Sequence, residues 1–408
     1  LRLGLIKNLA TFGDMPTMPD TPLRILHLAS WYPSEAHGTL GNFVRRHIHA
    51  ISSAHSGEVW YAAPSPLDQP LPQNTHTDCG NFQERIVYFK ARKPVVHGTT
   101  QALLHLAECT DPTPFDLIHL HVAYPAGKAA RKLAKCWSIP LVVTEHWTAY
   151  HKDQRTKLPF WRKWSMRRTL GQARLICPVS NDLARSIQDF SGEQRFCVVP
   201  NVVDTEMFHP QENVNENAHD SKHRKFQWLH ISSLSEDQKN ISGIIRAIQH
   251  LRKSTDAFHL NIIGDGDPKP HEELVIELGL QDCIAVQGEI PLTEVANQMR
   301  RSDALLLFSR YENFPCVIAE AWASGIPVLS SDVGGISEHL TDDRGALVPS
   351  EDVAELEQMM RAWILREQAF DGRTLRAHAT ECFSVAAIAK AYGEAYHAAL
   401  STGKPHVK

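Results

Sequence analysis

The chain has 408 residues and a formal net charge of -4. Its length exceeds what one ordinary core fills and predicts two domains of roughly 150–200 residues each. The near balance of charge excludes a bulk nucleic-acid binder, which would carry a strongly basic face. Its eight cysteines are scattered and form no C-x-x-C pair, so neither a zinc ribbon nor a redox motif is indicated.

The first residues, 1–22, read as an irregular leader with neither the apolar segment nor the cleavage site of a signal peptide. No run reaches the roughly 18 apolar residues of a membrane-spanning helix. Together with single cysteines in apolar surroundings, this predicts a cytoplasmic protein with reduced thiols. From Arg24 onward short apolar strands alternate with helical patterns. "RILHLAS", "EVWYAAP", "DLIHLHVA", "PLVVTEH", "LICPVS" and "FCVVPN" read as strands. "NFVRRHIHAISSA", "AGKAARKLAKCW" and "NDLARSIQDF" read as helices between them. Such alternation means βαβ units and a parallel sheet, here over residues 23–208. Residues 209–225 are polar and read as a linker.

The alternation restarts with the strand "FQWLHISSL" and the helix "NISGIIRAIQHLRK", and it runs through "FHLNIIGDG", "CIAVQGE", "ALLLFS" and "IPVLSS". This predicts a second doubly wound domain over 226–380. The remainder, 381–408, is one more amphipathic helix and a tail, expected to pack back on the first domain. The fold class is α/β, two Rossmann-like halves, and ligands of such sheets sit beyond the carboxyl ends of the strands.

The stretch "SRYENFPCVIAEAWASGIP" poses the functional question. Glu320 lies inside an apolar helical run, and Glu312 stands just before it. A buried charge costs several kcal/mol or more unless it is paired. Pro315 suits the first turn of a helix and Gly325 its end. The helix N-terminus would offer backbone N–H groups to an anion. Two carboxylates beside it would each accept hydrogen bonds from vicinal hydroxyls. Phosphate plus hydroxyl pairs describes a nucleotide-sugar. The plainer alternative is a structural carboxylate paired with an arginine.

The spacing E-x7-E in "ENFPCVIAE", followed by "AWASGIPVLSSDVGGISE", resembles the retaining glycosyltransferases of family 4, of the GT-B fold. "WYPSEAHGTLGNFVRRH", "LIHLHVAYPAG", "VVTEHWTAYH", "VVPNVVDTEMF", "NIIGDG" and "VQGEIP" extend the likeness over nearly the whole chain. The resemblance implies two Rossmann-like domains facing a central cleft. It implies metal-independent, retaining hexosyl transfer from a nucleotide diphosphate sugar, as co-substrate rather than cofactor, to a sugar or lipid-linked acceptor in polysaccharide or glycolipid assembly.

By the same resemblance Glu320 would bind ribose hydroxyls. Glu312 would contact the donor sugar together with Asn313 and Phe314, where Pro315 and Cys316 open the helix. Gly41 would let the first loop approach the diphosphate, and His121 would face the reacting sugar. Lys239 would neutralise the leaving phosphate. Ser233 stands where the family carries an arginine, and Arg45 and Arg310 are the candidates to replace that charge.

Asp265 and Asp267 in "GDGD" read as turn residues rather than metal ligands. His119 and His121 suggest a metal pair, but no third ligand is nearby in sequence, and His119 reads as a core residue. Neither "VGG" nor the segment from Gly38 to Gly41 fits a nicotinamide-binding G-x-G-x-x-G. The basic, aromatic stretch "RTKLPFWRKWSMRR" contains Trp161, Arg162, Lys163, Trp164, Arg167 and Arg168. It reads as contact with an anionic membrane surface or a lipid-linked acceptor, at the inner face of the cell membrane, or else as a solvated helix. The rival functions are a same-fold epimerase or phosphorylase and a non-catalytic partner subunit.

Overall fold

The structure, a computed structural model, describes residues 21–65, 74–91, 94–109, 114–211 and 224–401. The leader to residue 20 and most of the polar linker lie outside the described residues. The chain divides into two compact units. One joins the residues up to Val202 with those from Val385 onward, and the other runs from Val203 to Ser384.

The first unit holds a seven-stranded sheet: β1 (Arg24–Ala29), β2 (Ser56–Ser65), β3 (Asn74–Asp78), β4 (Phe82–Lys90), β5 (Leu117–His121), β6 (Leu141–Glu145) and β7 (Leu175–Pro178). The order is β3-β4-β2-β1-β5-β6-β7, with only β3 antiparallel to its neighbour. The central strands β5 and β6 are buried throughout because both faces are covered, as parallel sheets require. On one face Leu26, Leu28, Ile118, Leu120 and Val143 join a core with residues of the helices Val95–Cys109 and Gly127–Trp137. On the other, Ile25, Leu117, Val142 and Leu175 pack with Ile388, Tyr392 and Tyr396 of the helix Val385–Ser401.

The second unit holds six parallel strands: β8 (Phe226–Ser232), β9 (Phe258–Gly264), β10 (Ile284–Gln287), β11 (Ala304–Leu307), β12 (Val328–Ser331) and β13 (Gly345–Val348), in the order β10-β9-β8-β11-β12-β13. Strand order reverses between β8 and β11 here, and between β1 and β5 in the first unit. Such switch points, at the carboxyl ends of the strands, are where doubly wound sheets bind ligands. Below β11 and β12 the helix Cys316–Ala323 buries Ile318 and Trp322 completely, each worth about 1.5–3 kcal/mol of apolar burial.

Several elements differ from the sequence expectation. "FCVVPN" forms no strand among the described residues; Phe196 is tied to Ile176 by an isolated bridge. The pair β3–β4 went unread because β3, "NTHTD", is polar and almost wholly exposed. The helices Val95–Cys109, Val353–Ile364 and Gly372–Phe383, and β13, were likewise missed. The division between the units falls before Val203, not after 208. The Val203 N–H donates to the Phe383 carbonyl at 2.8 Å, and Phe208 packs in the core of the second unit. Among the described residues no helix is long and apolar enough to cross a membrane.

Candidate functional site

In the second unit the loops after β8, β11 and β12 meet at Glu312. The chain leaves β11 through Arg310 and Tyr311 and enters the helix Cys316–Ala323 at Pro315, which sits in extended conformation as its N-cap. Pro315 supplies no side-chain cap to that N-terminus, whose backbone N–H groups and dipole favour an anion. At the far end Gly325 takes φ 78°. The Ile326 N–H bonds the Ala321 carbonyl at 3.0 Å, and the Gly325 N–H bonds that of Trp322 at 2.9 Å, closing the helix as the sequence led one to expect.

Glu312, Asn313, Phe314 and Glu320 are all buried. Glu312 Oε1 is ion-paired with Lys239 Nζ. Its Oε2 accepts from the Gln238 side-chain amide at 3.3 Å. Gln238 and Lys239 belong to a single helical turn, Glu236–Lys239, inside what the sequence showed only as a loop. That turn is strapped to the β11 loop by further bonds. The Arg310 N–H donates to the Gln238 carbonyl at 2.8 Å, and the Arg310 guanidinium bonds the Glu236 carbonyl and, at 2.8 Å, Asn240 Oδ1. From β12, the Gly335 N–H donates to the Asn313 carbonyl at 2.7 Å. Gly334 has φ 59°, and a Cβ there would lie 1.9 Å from the Glu312 carbonyl oxygen. Phe314 stacks on Phe383 with centroids 5.3 Å apart, which anchors the loop to the core.

Ser233 is exposed. The next strand-end hydroxyl, Ser232, is bonded to His230 Nε2 at 2.7 Å. Burial pushes the His230 imidazole down to about 4, so it is neutral at physiological pH, its Nδ1–H facing the Leu306 carbonyl at 2.8 Å. Both candidates for the missing arginine charge are engaged. Arg45 pairs with Glu84 at 3.2 Å in the first unit, and Arg310 pairs with Glu351 at 2.7 Å.

In the first unit Gly41 and His121 lie beyond or at the ends of the switch-point strands β1 and β5. Gly41 has φ 76°, and a Cβ there would meet the Trp31 carbonyl group at 2.5 Å. Any side chain is therefore refused by the loop's own backbone. His121 closes β5, and Val122 follows at φ 67°, a conformation that β-branched residues rarely adopt. It is held on every side: Val122 N–H to the Thr144 carbonyl at 2.9 Å, Ser30 Oγ to the Val122 carbonyl at 2.6 Å, and Ala123 N–H to Glu145 Oε1 at 2.7 Å. Strain of this kind gathers at functional sites.

Two family descriptions match the chain. "Glycosyl transferases group 1" matches residues 211–377 and "Glycosyltransferase Family 4" matches residues 58–207. The chain belongs to the family 4 glycosyltransferases. Its curated relatives include a D-inositol 3-phosphate glycosyltransferase of Frankia alni, 26% identical over 80% of this chain and 84% of that one. An MMP alpha-(1->4)-mannosyltransferase of Mycolicibacterium hassiacum is 28% identical over 84% of each. Among solved structures, the sucrose-phosphate synthase of Thermosynechococcus elongatus superposes with a TM-score of 0.75, at 18% identity, over 92% of this chain and 98% of that one. Anabaena Alr3699/HepE in complex with UDP superposes at 0.68, with 18% identity, over 92% and 99%. These structural likenesses establish the GT-B fold.

Sequence reading of this glycosyltransferase missed four contributors. Gln238 and Gly334 shape the surroundings of Glu312. Glu145 is a buried carboxylate, pushed up to about 7 by burial, that bonds Tyr150 Oη–H at 2.5 Å as well as Ala123. His27 is a third possible ligand, far from the other two in sequence. It sits opposite His119 across the β1–β5 pair. His27, His119 and His121 offer ligand nitrogens all within 4.8 Å of one another, spacing a cation could use. Several of these nitrogens serve hydrogen bonds, whereas His121 Nδ1 is buried with no hydrogen-bond partner among the described residues. His119 is bonded to Tyr396 Oη at 2.8 Å and Thr144 Oγ1 at 2.7 Å, and His27 Nδ1 lies 3.2 Å from His121 Nε2. Burial holds all three well below the usual histidine range, so they are neutral. Through Thr144 and Tyr392 the network reaches His47, fastening the helix Val385–Ser401 to the sheet.

The basic stretch begins at the end of the short helix Lys152–Thr156 and continues, from Phe160, in the helix Phe160–Leu170. Met166, Thr169 and Leu170 are buried, whereas Phe160, Trp161 and Trp164 are 82%, 38% and 57% exposed. Arg162 lies over the Tyr124 ring at 4.8 Å, and Arg168 over Trp164 at 4.7 Å. Arg167 is exposed, with its Nε–H donating to the Phe190 carbonyl at 2.8 Å.

Proposed function

We propose that this glycosyltransferase moves a hexosyl group from a nucleotide diphosphate sugar to a hydroxyl acceptor, with retention of the anomeric configuration, in the assembly of a cell-surface glycan or glycolipid. The observation that carries the reading is the Lys239–Glu312 pair, set with buried Glu320 around one helix N-terminus at the strand switch point. Glu320 holds the ribose hydroxyls. Glu312, with Asn313 and Phe314, receives the sugar. Lys239 and the opening of the helix at Pro315 and Cys316 take the diphosphate. Gly41 and His121 have the roles that family membership implies, close approach to the diphosphate and contact with the reacting sugar.

In this mechanism the bond from the anomeric carbon to the diphosphate oxygen breaks, and a bond from the acceptor oxygen forms on the same face. The acceptor proton passes to the departing phosphate oxygen. The positive charge that meets the leaving group is supplied by protein, through Lys239 and backbone N–H groups. Donor turnover in excess EDTA is therefore expected to stay near the untreated rate. Activity lost to EDTA and restored by Mn²⁺ or Mg²⁺ contradicts the proposal.

The exposed Phe160, Trp161 and Trp164, among Arg162, Lys163, Arg167 and Arg168, support reversible binding of a cytoplasmic enzyme to anionic lipid, where a lipid-linked acceptor would reside. Flotation at low salt with anionic vesicles should carry the protein upward, and neutral vesicles should not. Replacing Arg162, Lys163 and Arg168 by Gln should abolish flotation. A native protein indifferent to anionic vesicles leaves this helix a solvated one.

A further inference from the structure

The Lys239–Glu312 pair has a consequence for which ligand the site prefers, one that rests on the donor-site reading above. Both side chains are nearly withdrawn from water, with 11% and 7% exposed. Each neutralises the other, and the second Glu312 oxygen faces the Gln238 amide. A diphosphate arriving beside Lys239 competes for that ammonium. Whether Lys239 turns away or bridges, Glu312 is left as a poorly solvated carboxylate next to new negative charge. Removing one partner of a buried pair is costly because the other charge is left uncompensated, and a like charge nearby adds to the cost.

An intact nucleotide-sugar brings its own remedy. Sugar hydroxyls donate to Glu312 and stand in for the ammonium. The spent nucleotide diphosphate brings no hydroxyl there and carries more negative charge on the terminal phosphate. We propose that the Lys239–Glu312 ion pair makes the site discriminate donor from spent nucleotide, so that Glu312 acts against product retention as well as for sugar recognition. Glu312 is thus a specificity-determining residue whose loss should tighten one ligand while weakening the other. A purely structural role predicts no such opposite movement.

The test is calorimetric titration of the full chain with UDP, GDP and ADP and with UDP-glucose, GDP-mannose and ADP-glucose. The variants are Glu312→Gln, which keeps the shape and can still meet Gln238, Lys239→Ala, the double variant and Glu320→Ala. Thermal melts verify folding. For the nucleotide that the native protein binds, Glu312→Gln should tighten the bare diphosphate by about tenfold and weaken the matching nucleotide-sugar. Most of that tightening should vanish when Lys239 is also replaced, as coupled neighbours require. If Glu320→Ala weakens the nucleotide but Glu312→Gln leaves its affinity unchanged or lower, the inference is overturned and the donor-site reading stands. If no nucleotide binds the native protein, or Glu320→Ala binds as the native does, the donor-site reading falls and this inference with it.

Discussion

Lys239→Ala should cut turnover at least about 10²-fold. A diphosphate gains charge as the glycosidic bond breaks, and a donor placed where that charge develops contributes on that scale. Several features concentrate the task on Lys239. The arginine usual in the family is replaced by Ser233, which is short and exposed. Arg310 is held by Glu351 and by oxygens of Glu236 and Asn240. Arg45 is held by Glu84. The Lys239 side chain is nearly buried, so its charge is poorly screened by water. Steady-state kinetics on a folded Lys239→Ala protein decide the matter. Near-native turnover would mean that the phosphates are held elsewhere and that the loop after β8 does not serve this chemistry.

Gly334→Ala should be nearly as damaging, although Gly334 carries no chemical group. Its φ of 59° disfavours any residue with a Cβ by roughly 1–2 kcal/mol. The added carbon would also sit 1.9 Å from the Glu312 carbonyl oxygen and 2.8 Å from the carbonyl carbon. Those neighbours are backbone, which cannot swing aside, and overpacking of this kind typically costs about 1–3 kcal/mol more. The loop relaxes by moving Glu312 and Asn313 away from the helix mouth. The expected result is a melting temperature lowered by several degrees and turnover reduced at least about tenfold. Gly288→Ala is the control, since nothing lies within 4 Å of a Cβ there. A Gly334→Ala protein that melts and turns over like the native one would show that the "VGG" segment does not shape the site.

What could be read from the sequence, and what could not, follows from the range of each interaction. Strands buried on both faces show as apolar runs, so β1, β5, β6, β8, β9 and β11 stood out. β3 is polar and exposed, and its pairing with β4 leaves no local periodicity. Glu312 and Glu320 were recognisable because they lie within one short stretch, on and just before a single helix. The partner of Glu312 was not, because Lys239 lies 73 residues away and reaches it only through the neighbourhood of β8 and β11. His27 hid for the same reason: its relation to His119 is a register between strands that are far apart in the chain. Gly334, in a segment that failed a nicotinamide test, gained its meaning only when the β12 loop was seen against the Glu312 carbonyl.

The measurement that bears most directly on the central claim combines donor turnover with nucleotide binding in native protein and Glu320→Ala. Native protein should release nucleotide diphosphate from one member of a panel of UDP-, GDP- and ADP-sugars. The Glu320→Ala variant, having lost charge-assisted acceptors worth roughly 1.5–3 kcal/mol each, should bind that nucleotide diphosphate at least about tenfold more weakly. A native protein that neither consumes nor binds any of these donors, or a Glu320→Ala variant of unchanged affinity, would contradict the assignment of this helix mouth as the nucleotide-sugar site.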